Sequence, residues 1–362
     1  MAGKKYRVVH CGTGPTGRLG LIGIDNHPDL DLVGHLVFDP AKVGQDSGDI
    51  CRMDRKLGVL ATDDQDALIA LKPDMLVFLG DGIGHLKESV DTICKFLSAG
   101  INVGTAALYA LTNPRVGPPE YREAIEKACE EGQSSYYFSG IDPGFASPWL
   151  AVAMLKNCDE VSEVRMQELA DYGKYPVEWI MREVYGFGQP KDYKCLLSEG
   201  THAMTTWQGT VTAVADRMGI ELERLEAFYY SETHDVGHQT LWGPVDAGTV
   251  AAVRFGVEGY YKGKPFIVLE HVNRTTPAAA PHWPQPKIDQ EKGLDHQYTV
   301  LISGDPGFEI RWDIGRTRSD EDAGLVATAM LIVNAVPIVT EHAPGWINEM
   351  DLPLYTARNI KV

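Results

Sequence analysis

Three glycines stand at G-x-G-x-x-G spacing in Gly12-Thr13-Gly14-Pro15-Thr16-Gly17, directly after the apolar run 6–11. Each has a task in holding a dinucleotide. Gly12 permits the tight strand-to-helix turn, Gly14 lets a pyrophosphate approach the backbone, and Gly17 lets the helix pack closely on the strand. Thr13, Pro15 and Thr16 complete the loop. The helix expected from Arg18 onward offers N–H groups and a partial positive charge at its N-terminus. A second apolar run, 30–38, ends at Asp39, about 22 residues beyond Gly17, where an acid that grips the adenosine ribose is expected. Asp39 accepts from a ribose 2′-hydroxyl but repels a 2′-phosphate, so NAD is favoured. Lys42, three residues on, softens that repulsion and leaves NADP possible.

The elements that must carry such a turn are legible around it. Apolar strands are expected at 6–11, 30–38, 74–79, 101–104 and 135–139, with helices at 18–26, 64–71, 85–99 and 119–131 between them. This alternation means a parallel sheet covered on both faces, with ligands off the carboxyl ends of its strands. Those ends include Gly80 and Thr105, both expected to line the cofactor. After residue 145 the pattern changes. A helix at 146–156, a strand at 161–170, helices at 176–185 and 201–218, and a strand near 225–233 precede two hairpins, 249–272 and 297–313. Hairpins indicate a mainly antiparallel sheet. The expected fold is thus α/β: a Rossmann dinucleotide-binding domain (1–145), an α+β substrate and dimerisation domain (146–316), and a C-terminal helix and tail (317–362) packing back on the first. The Pro-rich stretch 275–296 reads as an ordered loop or lid, and Tyr260 with Lys264 as flanks of a hairpin turn.

Composition fits this picture. The chain has 362 residues, 44% of them hydrophobic and 23% charged, in the usual range for a globular protein. Net charge is −17 (33 basic against 50 acidic residues), which argues against nucleic acid or an anionic membrane as partner. No apolar stretch is read as approaching the ~20 residues of a membrane span. The start MAGKKYRVV runs straight into the first strand, so a cytoplasmic protein is expected. Six scattered cysteines without C-x-x-C read as reduced filler, and no metal site is expected; His234 and His238 lack an H-E-x-x-H context.

The Gly140-Ile141-Asp142-Pro143-Gly144-Phe145 junction, Ala327-Thr328-Ala329-Met330, Asn334-Ala335-Val336-Pro337 and Pro344-Gly345 occur in a telling order. With the Rossmann start and the segment from Phe38 to Asp46, they resemble the dihydrodipicolinate reductase-like oxidoreductases. The nearest branch is that of 2,4-diaminopentanoate dehydrogenase and the related amine dehydrogenases. The resemblance covers nearly the whole chain. It implies a homodimer joined through the second domain, an active site in the interdomain cleft, and a small-molecule substrate. One departure stands out. That branch carries a Thr-x-Glu-Glu-like segment, whose glutamate handles protons on the amine, where this chain reads Thr105-Ala106-Ala107-Leu108-Tyr109.

Hydride transfer between nicotinamide and a carbonyl or imine carbon still needs a proton donor and acceptor. Candidates are Tyr109 in the altered loop, Asp142 at a strand end, and Glu168 and His271, ionisable groups in otherwise apolar strands. Tyr109 reads more readily as a packed aromatic in a loop, and Asp142 equally as a turn and helix-entry residue. Tyr172, His202, Trp207 and Arg274 are further substrate-contact candidates. The function expected is an amine dehydrogenase-like NAD(P)-dependent oxidoreductase for a small, mostly apolar carbonyl, imine or amine. The alternatives are an ammonium-independent carbonyl reductase or alcohol dehydrogenase, and a non-catalytic dinucleotide-binding regulator.

Overall fold

The computed structural model describes residues 4–286, 296–314 and 323–360. The chain forms two compact units, Met1–Phe145 with Leu325–Val362, and Ala146–Gly324.

In the first unit, β1 (Tyr6–Cys11), α1 (Pro15–Asn26) and β2 (Leu30–Leu36) bracket the glycine turn. Every residue of β1 except Arg7 is buried, as suits a β-branched, aromatic-rich strand covered on both faces. There follow α2 (Ser47–Ile50), β3 (Ala61–Thr62), α3 (Gln65–Ala70), β4 (Met75–Phe78), α4 (Leu86–Ser98), β5 (Asn102–Thr105), α5 (Pro119–Gly132) and β6 (Ser135–Phe138). Helix α5 begins with proline in its first turn and is closed by Gln133 in the left-handed conformation.

The second unit contains α6 (Trp149–Leu155), β7 (Glu160–Asp171), α7 (Thr201–Met218), β8 (Arg224–His234), β9 (His238–Thr240), β10 (Gly243–Val245), β11 (Thr249–Tyr261), β12 (Lys264–Arg274), β13 (His296–Asp305) and β14 (Phe308–Ile314). The helix expected over 176–185 is instead a π-helical turn, Ile180–Val184. Pro176 on one side and Gly186 on the other leave room for a single widened turn. Part of the Pro-rich stretch, 287–295, lies outside the described residues. The chain returns to the first unit through α8 (Ala323–Val333), α9 (Val336–Thr340) and β15 (Gly345–Ile347).

The first sheet runs β15-β6-β5-β4-β1-β2-β3, and its pairs are parallel. Two of these strands were not expected: β3, of two residues, and β15, of three, are too short to show a hydrophobic period. The second sheet runs β14-β13-β7-β12-β11-β8. It is antiparallel except for the parallel pair of β7 with β12. Helix α7 lays Trp207, Val211 and Val214 on the face formed by Val253, Phe255 and Val257.

The single C-terminal helix expected within 317–362 is, from Ala323 on, two helices, interrupted at Asn334–Ala335 because Pro337 lacks the N–H that would continue the ladder. Their buried positions, Ala329, Ile332, Val333, Val336 and Val339, join Val8, Ile24, Val77 and Tyr137 in one core. Burying each large aliphatic side chain there contributes about 1.5–3 kcal/mol. The reading that no stretch is apolar enough for a membrane needs correction. Ala323–Thr340 passes by length and composition, with a mean hydropathy of 2.0. The reason is its place in this core, which calls for apolar residues just as lipid does.

Candidate active site

The glycine turn is built by close backbone approach. Gly12 has φ +124°, and a Cβ there would lie 2.3 Å from the Leu79 carbonyl oxygen. A Cβ on Gly17 would lie 2.5 Å from Gly12 C. Gly14, the N-cap of α1, has nothing within 4 Å of its Cβ position, so open space adjoins the helix N-terminus. Pro15 sits at the first helical position and Arg18 N donates to Gly14 O at 2.9 Å. Two glycines locked by close approach and a third facing open space fit a pyrophosphate lodged on the helix N-terminus. Beneath the turn, His10 Nε2 bonds Gly12 O at 2.9 Å, and burial lowers this imidazole to about 3, so it stays neutral.

Beyond β2, Asp39 and Lys42 meet Thr13 of the glycine turn. Lys42 Nζ donates to Thr13 Oγ1 at 2.7 Å and stands 3.7 Å from Asp39 Oδ2. Asp39 Oδ1 accepts from Ala41 N at 3.0 Å, and the carboxylate is half-exposed. One oxygen is thus held by the turn and the other faces a lysine.

At the strand ends, Gly80 follows β4, and Thr105, the last residue of β5, is buried with Oγ1 accepting from Ala107 N at 3.0 Å. Its hydroxyl shapes the loop. Ala107 and Leu108 are buried in the core with Phe78, Leu111 and Phe138. Where the resemblance calls for a carboxylate, apolar side chains fill the core. Tyr109 is half-buried, edge-on to Phe138 at 6.3 Å. Burial, and then the charge of Asp81, raises its phenol above the ordinary value. Asp142 lies in the turn after β6, closed by Phe145 N donating to Gly140 O at 2.8 Å.

The second unit presents a different arrangement. Tyr298, Glu168, His271 and Phe255 occupy directly opposed positions on β13, β7, β12 and β11, one row on one face of the sheet. Glu168 is buried and accepts from the Tyr172 hydroxyl at 2.7 Å, Asn273 Nδ2 at 2.9 Å and the Tyr298 hydroxyl at 2.9 Å. His271 Nδ1 stands 3.4 Å from Glu168 Oε1. Burial by itself would push the Glu168 carboxyl up. The positive charge and hydrogen bond of His271, then His296 and the Tyr172 hydroxyl, outweigh it and hold the group well below the carboxylate range. The imidazole is stacked on Phe255 (4.8 Å, 9°) and packed against Trp207 (4.6 Å). A fixed anion beside an imidazole held between aromatic rings is the geometry of an oriented acid–base group.

The other candidates divide. Tyr172 and Trp207 belong to this cluster. His202 is half-buried in the first turn of α7, lowered by burial. Arg274 holds the loop that follows β12, donating to the carbonyls of Ala279, Ala280 and Pro284 at 2.9, 3.3 and 2.8 Å. Sequence reasoning missed Asn273 and Tyr298. Asn273 had a signal, since it lies two residues beyond His271 and so on the same strand face. Tyr298 had none, because its position depends on the register of β13.

The family of the 2,4-diaminopentanoate dehydrogenase C-terminal domain matches residues 148–361. An amine dehydrogenase of Streptomyces virginiae is 34% identical over 351 residues, spanning 96% of each chain. A 2,4-diaminopentanoate dehydrogenase of Acetoanaerobium sticklandii is 23% identical over 296 residues, 80% of this chain and 76% of the other. The structure of an amine dehydrogenase from Mycobacterium smegmatis superposes with a TM-score of 0.77 at 17% identity, covering 99% of both, and shares the fold.

Proposed function

This chain belongs to the family of 2,4-diaminopentanoate dehydrogenases and amine dehydrogenases, NAD(P)-dependent oxidoreductases, and from that premise we propose that it interconverts a small, mostly apolar ketone or aldehyde with its amine. The cofactor is a nicotinamide dinucleotide, and Asp39 makes NAD the preferred one. When bound, the dinucleotide supplies or accepts a hydride at its nicotinamide ring. Gly12, Gly14 and Gly17 with the α1 N-terminus hold its pyrophosphate, and the turns at Gly80, Thr105 and Asp142 shape the strand ends beside it.

The observation that carries this reading is the Glu168–His271 pair. Amine chemistry must take a proton from nitrogen and return one to the departing oxygen. The apolar loop at Ala107 and Leu108 has no group for this. His271 moves the proton, and Glu168 fixes the imidazole's orientation and balances its charge when protonated. The aromatic rings around His271 keep water out and suit an apolar substrate. The enzyme acts as a homodimer in the cytoplasm.

NADH consumption against small ketones and aldehydes, with and without high ammonium, tests the reading. Turnover that requires ammonium is expected. Turnover indifferent to ammonium would instead establish a carbonyl reductase, which the missing loop carboxylate favours, with Tyr109 as donor. Cofactor binding without turnover on any substrate would point to a regulator.

A further inference from the structure

The seventh strand brings a carboxyl group to the edge of the first sheet. β15 pairs with β6 so that Ile347 lies beside Tyr137. Two residues on, Glu349 accepts a hydrogen bond from Ser139. Ser139 opens the 139–145 turn that carries Asp142, and its N–H donates to Thr105 O at 3.1 Å, tying that turn to the end of β5. Tyr355 of the C-terminal tail is the other hydrogen-bond partner of Glu349. Its hydroxyl lies 3.1 Å from that of Tyr137 and 3.1 Å from Leu331 O of α8. Ser139 and Glu349 are both buried.

Hydroxyls are what face this carboxyl: Tyr137 and Ser139 from β6 and its turn, and Tyr355 from the tail. Asp351, in the turn that follows, is held by Asn348 N at 3.3 Å. No cation among the described residues acts on Glu349. Burial pushes it up to about 7, against the opposing pull of the Ser139 and Tyr355 hydrogen bonds. A neutral carboxylic acid fits such a place, whereas an anion there lacks both water and a counter-charge.

We propose that Glu349 is a positioning residue: while it keeps its proton it ties the 139–145 turn to the C-terminal tail, and when the proton leaves, that turn loosens. Because strand-end turns receive the cofactor under the function proposed above, dinucleotide affinity follows the same proton.

Hydrogen exchange on the whole protein without cofactor, from about pH 6 to about pH 9 and corrected for the intrinsic rate, reads the peptides covering 135–145 and 345–360. In the wild type, their protection should fall about tenfold as pH rises through the neutral range. Glu349→Gln should remove that step. Identical pH dependence in both proteins would overturn the proposal. Should Glu349→Gln fail to fold, Ser139→Ala serves in its place. Losing a hydrogen bond that favours the anion, Ser139→Ala must move the step to higher pH, and an unmoved step would overturn the idea equally. NADH titration over the same range should weaken several-fold in the wild type and stay level in Glu349→Gln. Wild type that binds no NADH at any pH would refute the cofactor reading, while the exchange data still judge the role of Glu349.

Discussion

Tyr298 on β13 donates its hydroxyl to Glu168 Oε2 at 2.9 Å from the directly opposed position on the neighbouring strand. With Tyr172 and Asn273 on the other oxygen, the carboxylate has its hydrogen bonds fixed on both sides. A group held this firmly is suited to orienting His271. Glu168→Gln and His271→Asn should each lower kcat by about 10²-fold or more, the usual scale of general acid–base catalysis. NADH affinity, measured by fluorescence titration, should not change. Tyr109→Phe should lose less than about fivefold on the same scale. The reverse ranking would transfer the proton role to Tyr109.

The glycine turn predicts a split between neighbours. Gly14→Ala adds a methyl to open space, so the melting temperature should stay put while dinucleotide affinity falls by about tenfold or more. Gly12→Ala sets a Cβ 2.3 Å from the Leu79 carbonyl oxygen at positive φ, and should lower stability as well as binding. Calorimetry beside titration separates the two effects. Equal losses of affinity and stability in both variants would remove Gly14 from the cofactor site.

Asp39 should decide between the two dinucleotides. Asp39→Ser leaves Lys42, already 2.7 Å from Thr13, as the dominant charge at that end. NADH binding should weaken and NADPH binding strengthen, each by about tenfold, or 1.4 kcal/mol. If neither affinity moves, Asp39 is not the ribose anchor.

Two buried glutamates should tilt stability in opposite directions with pH. Glu168 titrates below the ordinary value of 4.5 in the fold, so its contribution is present above that value and lost as pH falls. Glu349 titrates near 7, so its contribution is present below 4.5 and lost as pH rises through about 7. Melting curves should therefore show Glu349→Gln flattening the limb from about pH 4.5 to just above pH 7 by about 5 °C, and Glu168→Gln flattening the limb below pH 4.5. An unaltered limb through pH 7 in Glu349→Gln would mean that another group sets it.

Much of this was legible because long elements carry periodic patterns. The run 201–218 reads as a helix from residue types alone and is one. The two long hairpins and the glycine turn likewise announce themselves by local chemistry. What escaped depends on partners distant in the chain. β15 has three residues and exists only because β6 offers an edge. Glu349 has no local sign of its role, since Ser139 lies 210 positions away. Glu168 and His271 stood out as ionisable groups in apolar strands, yet their meeting required β7 and β12 to run parallel, which hairpin logic does not foresee. The π-helical turn at Ile180–Val184 was missed because helical period alone does not distinguish a widened turn from an ordinary one.

The first sheet takes its last strand from beyond the second unit, and this has a consequence for how the protein is made. A ribosome that has produced residues 1–324 has delivered the whole second unit but an incomplete first one. Until α8, α9 and β15 emerge, Val8, Val77 and Tyr137 lack the apolar cover that Ile332, Val333 and Val336 give them, and β6 is an open edge. All residues of the second unit are therefore made before the first unit's core and sheet can be completed, so the segment that begins the chain is the last to be closed.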